Sequence, residues 1–167
     1  MTTSRVTSSK AATVATVAGQ LVLEPDGVGL LTGTSIRHLP FGTDGTTLTK
    51  ALDTTIGPVS RTMQTECGQG ARIQLSRQGF SALVKGAVFV GWVDSGRTTP
   101  RLATVNGIGV GSTLASIKAG FAGVTVTTDT LGPEWTTPDG TVGGLLDGTA
   151  TTSRMTDFYA GETCFFR

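Results

Sequence analysis

The chain has 167 residues, of which 38% are hydrophobic and 15% charged, with 13 basic against 12 acidic side chains. That is enough apolar material for one ordinary domain or two small ones packed together. The near balance of charge and the lack of a basic cluster exclude an electrostatic case for nucleic acid or an anionic membrane surface.

Threonine (31) and glycine (24) dominate the composition. Threonine favours strands and glycine marks turns and bulges, so the bias points to a strand-rich fold with tight connections. No membrane span is expected: the longest apolar run, "AVFVGWV" at 87–93, falls far below the roughly 20 residues that a spanning helix needs.

In chain order, "MTTSRVTSSKAATVATVAGQ" has no continuous apolar core and so is not an intact signal peptide. It reads as a Ser/Thr/Ala tether over 1–20, disordered or loosely held through about Ala18. Such a stretch is also what remains when a signal or lipoprotein leader is cut off and replaced by a start methionine. An extracytoplasmic location follows as an expectation. Next comes the only histidine, His38, in "SIRHLPFG". No Ser or Cys near it has a nucleophile's setting, so it reads as a surface or hinge residue. Asp26, Asp44, Asp94, Asp139 and Asp147 sit among Gly, Pro and Ser, where Asp caps its own backbone. No spacing singles out a carboxylate pair. The expected catalytic set is empty, and no cofactor is implied.

The stretches "GTTLTKALDTTIGPVS" (45–60) and "GSTLASIKAGFAGVTV" (111–126) align without gaps at an offset of 66. Gly45 faces Gly111, Leu48 faces Leu114, and Gly57 faces Gly123. Thr46 and Ser112 read as helix N-caps. Leu48, Ala51, Leu52 and Thr55 line one helix face, as do Leu114, Ile117 and Phe121. The two glycines after the helices are placed to end them in a left-handed residue. After each helix, short runs rich in Val, Thr, Phe and Ile alternate with Gly, Asp or Pro, the pattern of antiparallel strands. "VKGA" and "LDGT" read as hairpin turns. The expected fold is α+β: a tandem repeat of a short helix (or helix pair) followed by a three- to four-stranded antiparallel meander, over 21–96 and 97–167, joined near "DSGRTTPRLAT" (94–104).

The glycines of "NGIGVGSTLASIKAGF" (106–121) invite a phosphate-site reading, but no lysine follows Gly111 and the spacing is not a dinucleotide fingerprint. No nucleotide is expected. The aromatic residues Phe89, Trp92, Trp135, Phe158, Tyr159, Phe165 and Phe166 fall in the strand runs. Alternation sends about half under the helices and half to the open face. Trp92, Trp135, Phe158 and Tyr159 are therefore the candidate binding residues. For Cys67 and Cys164, one histidine is too few to complete a metal site. A disulfide suited to an oxidising compartment is favoured, with two buried free thiols as the alternative.

At "LVLEPDGVGLL", "FVGWVDSG", "GIGVGSTLASIKAGF" and "AGETCFFR" the chain resembles secreted or lipid-anchored actinobacterial proteins of undefined role, over about 21–167. The helix-then-strands unit is similar to the tandem unit of the β-lactamase inhibitory protein family, and to the small lipoprotein domain of the outer-membrane assembly machinery. The resemblance implies a binding module and carries over no site residue. The family has a disulfide in each half, whereas this chain has one cysteine per half. The expectation is a non-enzymatic extracytoplasmic module that offers a sheet face with exposed aromatics to a protein or cell-envelope partner. The alternatives are a structural subunit of a phage or surface assembly and a hydrolase using scattered carboxylates.

Overall fold

The computed structural model describes residues 19–164. Residues 1–18 of the expected tether, and Phe165 and Phe166, lie outside the described residues. Of the two remaining tether residues, Gly19 precedes a strand and Gln20 already belongs to it. β1 (Gln20–Glu24), β2 (Gly27–Thr32) and β3 (Ser35–Pro40) form a three-stranded antiparallel sheet. This sheet was not anticipated, and it makes His38 a strand residue. Leu21, Leu23, Val28 and Leu39 alternate onto one face and are buried there, the period expected of a half-buried strand.

The second sheet has eight antiparallel strands. α1 (Gly45–Thr55) precedes β4 (Ser60–Gln64), β5 (Arg72–Arg77), β6 (Phe80–Lys85) and β7 (Val88–Asp94). α2 (Leu114–Gly120) precedes β8 (Thr125–Asp129), β9 (Gly132–Thr136), β10 (Val142–Leu146) and β11 (Met155–Gly161). The strand order is β4-β5-β6-β7-β11-β10-β9-β8. The two meanders thus meet where β7 pairs with β11, from Asp94 with Phe158 to Gly91 with Gly161.

The helices start one or two residues away from the expected caps. Asp44 caps α1, its Oδ1 accepting from the N–H groups of Thr46 and Thr47, both at 3.0 Å. Thr113 caps α2 by accepting from Ser116 N–H at 3.2 Å. Ser112 instead accepts from Gly109 N–H. Gly57, with φ of 88°, follows the C-cap of α1 as a left-handed end requires. Gly123 also has positive φ, 69°, but α2 already ends at Gly120 with Phe121 extended, so Gly123 serves the turn into β8 and not the helix end. "VKGA" is a two-residue hairpin, Lys85 facing Val88 with Gly86 and Ala87 both at positive φ. "LDGT" is not a tight turn: it opens a longer connection over 147–154, in which Asp147 accepts from Arg154 N–H at 2.7 Å.

One face of the large sheet is packed. Leu48 and Leu52 of α1, Leu114 and Ile117 of α2, and the apolar face of the small sheet form one core with Phe80, Phe89, Trp92, Trp135 and Phe158. Trp92 ties the two sheets together by donating from Nε1 to the Glu24 carbonyl at 3.0 Å.

The opposite, outer face is crossed by residues 162–164, which run from the β7–β11 junction over β6 and β5 to the β4–β5 loop. Beyond β11 the chain turns at Gly161, and residues 162–164 run back over Gly91. A Cβ at Gly91 would collide with the Glu162 carbonyl. Cys164 then closes a disulfide with Cys67, in the β4–β5 loop, with Cα atoms 5.5 Å apart and 97 residues between them. Beside it, Arg72 donates to the Glu162 carbonyl and carboxylate, both at 3.1 Å, and to Gln69. Lys85 pairs with the same carboxylate at 3.1 Å.

Candidate functional site

The strand registers sort the expected binding residues. Paired residues in antiparallel strands share a face. Phe80, Asp94, Phe158, Gly144, Trp135 and Val126 lie in one paired row across six strands, and the row points into the core. Trp92, two residues before Asp94, points the same way. Trp92, Trp135 and Phe158 are fully buried. Phe89 is buried as well, because the register shift between Leu83 and Val84 turns it inward beside Phe41, ring centroids 5.0 Å apart. A β-bulge re-aims a side chain in this way. The expected patch of exposed aromatics is therefore corrected: these four rings are core. Tyr159 alone of the candidates is on the outer face, and it is nearly covered too. Its ring lies over Gly143, where a Cβ would strike the phenol, and its hydroxyl donates to Glu134.

The outer face carries a different composition. One row crosses all eight strands through Ser60, Ser76, Ser81, Val93, Tyr159, Gly143, Thr136 and Thr125. Next to it lie Thr62, Gln74 and Gln64, and a shallow 160 Å³ depression bordered by Gln64, Gln74, Ser81, Leu83, Val93 and Cys164. Ser76 and Ser81 share a hydrogen bond, and Gln74 donates to Ser81 at 2.8 Å. The face is small, polar and internally hydrogen-bonded.

Among the described residues, groups suited to catalysis do not converge. His38 stands exposed on β3 with Nδ1 2.8 Å from the Glu24 carboxylate. That hydrogen bond and the carboxylate charge raise its pKa. No nucleophile joins the pair. Asp139 accepts from Thr137 and Thr141, which lowers its pKa, and it serves a turn. Among the described residues no group of three His, Cys, Asp or Glu could hold a metal ion.

Asp94 is the most perturbed carboxyl. It ends β7 on the inner face and is fully buried; Oδ1 accepts from Gly96 N–H at 3.2 Å and Oδ2 has no partner. Burial pushes its pKa up to about 6, opposed by the Gly96 hydrogen bond and Arg101, and aided by the charge of Asp157. The folded chain thus holds this proton more tightly than the unfolded chain, whose value is near 3.8. The stability that the proton contributes is present below that value and is lost as pH rises through about 6. The gap corresponds to about 3 kcal/mol. Asp94→Asn keeps the acceptor for Gly96 and removes the charge. Urea melts at pH 4 to 7 are expected to show wild-type stability falling across this range relative to Asp94→Asn. Parallel pH profiles would contradict the assignment.

A second cavity went unnoticed in the sequence. A cleft of about 420 Å³ opens between β1, the end of α1, the β5–β6 hairpin and the 95–104 connection. Leu21, Ile56, Pro100 and Leu102 supply apolar walls, and Arg77 and Thr98 supply polar ones. Arg77 pairs with Phe80 at the end of its strand and so faces inward. The traces of the cleft in the sequence are Arg77 beside the "QG" hairpin and "RTTP" in the polar connection, segments that meet only in the folded chain. Comparison with protein-family models, with curated proteins and with solved structures finds no match to this chain.

Proposed function

We propose that the protein is a non-enzymatic binding module of the extracytoplasmic space, with the outer face of the eight-stranded sheet as its surface for a protein partner. The observation that carries this reading is the paired row of mostly small side chains spanning all eight strands, opposite the face that packs on the core over β5–β7 and β9–β11. A broad sheet face of short polar side chains lets a partner approach the backbone closely and meet hydrogen-bonding groups without displacing long chains. The disulfide favours an oxidising compartment. This face takes the place of the aromatic patch.

In this reading the fold is a duplicated unit, α1 with β4–β7 and α2 with β8–β11. Support comes from a detail shared by the two halves: each helix N-cap residue forms an isolated bridge to the start of the fourth strand, Asp44 with Val88 and Thr113 with Arg154. A helix-then-meander unit used twice would agree with the resemblance to the β-lactamase inhibitory protein family noted in the sequence.

Thr62→Arg and Thr127→Arg place long charges on exposed positions at either side of the face. In affinity capture from secreted and envelope proteins, a partner retained by the wild type is expected to bind the double variant at least about tenfold more weakly. The melting temperature should stay within about 2 °C, as for surface substitutions generally. Undiminished capture by a folded double variant, or no partner recovered at all, would overturn the reading.

A further inference from the structure

The eight-stranded sheet ends in two edges, β4 and β8, and they are built differently. Along β4, Arg61 pairs with the core residue Leu75, so it stands on the inner face, and it is exposed there. A charge on the core side of an edge strand keeps other strands from adding to it. β8, "TVTTD", has no charge before its last residue, no proline and no bulge. Threonine and valine are also the residue types that strands favour. The register shows which backbone groups β8 leaves open. Thr137, just past β9, donates its N–H to the Val142 carbonyl. Trp135 and Thr137 thus turn their backbone groups to β10, and Gly132, Glu134 and Thr136 turn theirs to β8. Asp129, Thr127 and Thr125 pair with those three and use their backbone groups on β9. The N–H and C=O groups of Val126 and Thr128 therefore point away from the sheet, and no strand lies beyond them among the described residues.

We infer that β8 is a docking edge for a second copy of this chain, pairing antiparallel with the same strand about a twofold axis at Val126. Ladder hydrogen bonds require outward residues to face outward residues. Centring the pair on Val126 sets Val126 against Val126, Val124 against Thr128 and Thr125 against Thr127. In this register no like charges meet. Asp129, the one charged residue of the strand, falls opposite Gly123 of the second copy, and the two Asp129 side chains lie at opposite ends of the ladder. The twofold axis is normal to the sheet, so core side joins core side. Val124 and Val126, only partly buried at the margin of the core, gain cover from their counterparts. Leu131, 42% exposed at the tip of the β8–β9 hairpin, comes level with the start of β8 in the second copy. An isologous contact of this kind closes at two copies. The pairing does not depend on what the outer face binds.

Sedimentation equilibrium of the full oxidised chain across the micromolar range tests this directly. The mass is expected to rise from one copy toward two and no further. Thr128→Pro removes an outward N–H and no β8–β9 hydrogen bond, so it should weaken self-association at least about tenfold while the chain stays folded. Should Thr128→Pro fail to fold, Thr128→Lys places on exposed Thr128 the kind of inner-face charge that β4 carries, and the same loss is expected of it. The register has its own check. Cys67 and Cys164 are bridged to each other, so a mixture of Thr125→Cys and Thr127→Cys chains should oxidise to a covalent dimer of one of each, well above the yield from either variant alone. A wild type that stays a single copy throughout, or self-association undiminished in a folded Thr128 variant, would overturn the inference. So would a mass growing past two copies, which marks head-to-tail pairing of β4 with β8, or cross-linking no better in the mixture.

Discussion

Replacing Cys67 and Cys164 together by serine is expected to destabilise the chain by about 4–5 kcal/mol, the loop-entropy value for a closure of this length. The bridge spans 97 residues, so its loss releases most of the chain in the unfolded state. The folded state is affected as well. Residues 162–164 are held over the sheet by the disulfide and by the Arg72–Glu162 pair, and without the bridge Arg72 loses part of its cover. Arg72 is 1% exposed, so a charge that is partnered and enclosed would gain water on one side. Urea denaturation of the oxidised wild type and the double serine variant gives the comparison. A difference below about 1 kcal/mol would mean that the bridge constrains little.

Trp135→Ala and Trp92→Ala should each cost about 3–5 kcal/mol, the usual range for removing a large buried ring. Trp135 sits between Phe121 and Phe158, with centroids 5.3 and 5.8 Å away, and donates to the Met155 sulfur at 3.3 Å. Trp92 meets Phe158 edge to face at 4.9 Å, and its loss also strips the Glu24 carbonyl of its donor. Both variants are expected to leave partner capture per folded molecule unchanged, since neither side chain reaches the outer face. Equilibrium unfolding combined with capture at low temperature separates the two effects. Weakened capture by a fully folded variant would return the tryptophans to the binding surface.

What the sequence revealed were the features that short stretches specify on their own. Both helices, the left-handed glycines after them, the "VKGA" hairpin and the antiparallel strands follow from local spacing and turn chemistry. The disulfide was favoured because the chain lacks the ligands for a metal site. The small sheet is absent from that reading, although Leu21, Leu23, Val28 and Leu39 alternate as they should, because the unit over 21–96 is defined by its helix and the meander after it, which assigns no strands to the residues before Gly45. The aromatic patch failed for a different reason. Alternation gives the relative facing of neighbours within a strand and says nothing of register between strands. That register put Trp135 and Phe158 in the same row, and one extra residue near Val90 reversed Phe89. The cleft was invisible because Arg77, Thr98 and Ile56 belong to segments that only tertiary structure brings together.

The junction of β7 with β11 also bears on how the chain folds. Within β4–β7 and within β8–β11 every neighbour is the next strand along the chain, so each meander closes only short loops. The junction alone couples strands far apart in sequence, Asp94 with Phe158 and Gly91 with Gly161. Loop-closure entropy makes such pairing the slow event. Its residues are therefore expected to acquire native contacts after those of the local hairpins, and Cys67 meets Cys164 only once the last strand has arrived. Correct oxidation thereby reports completion of the sheet.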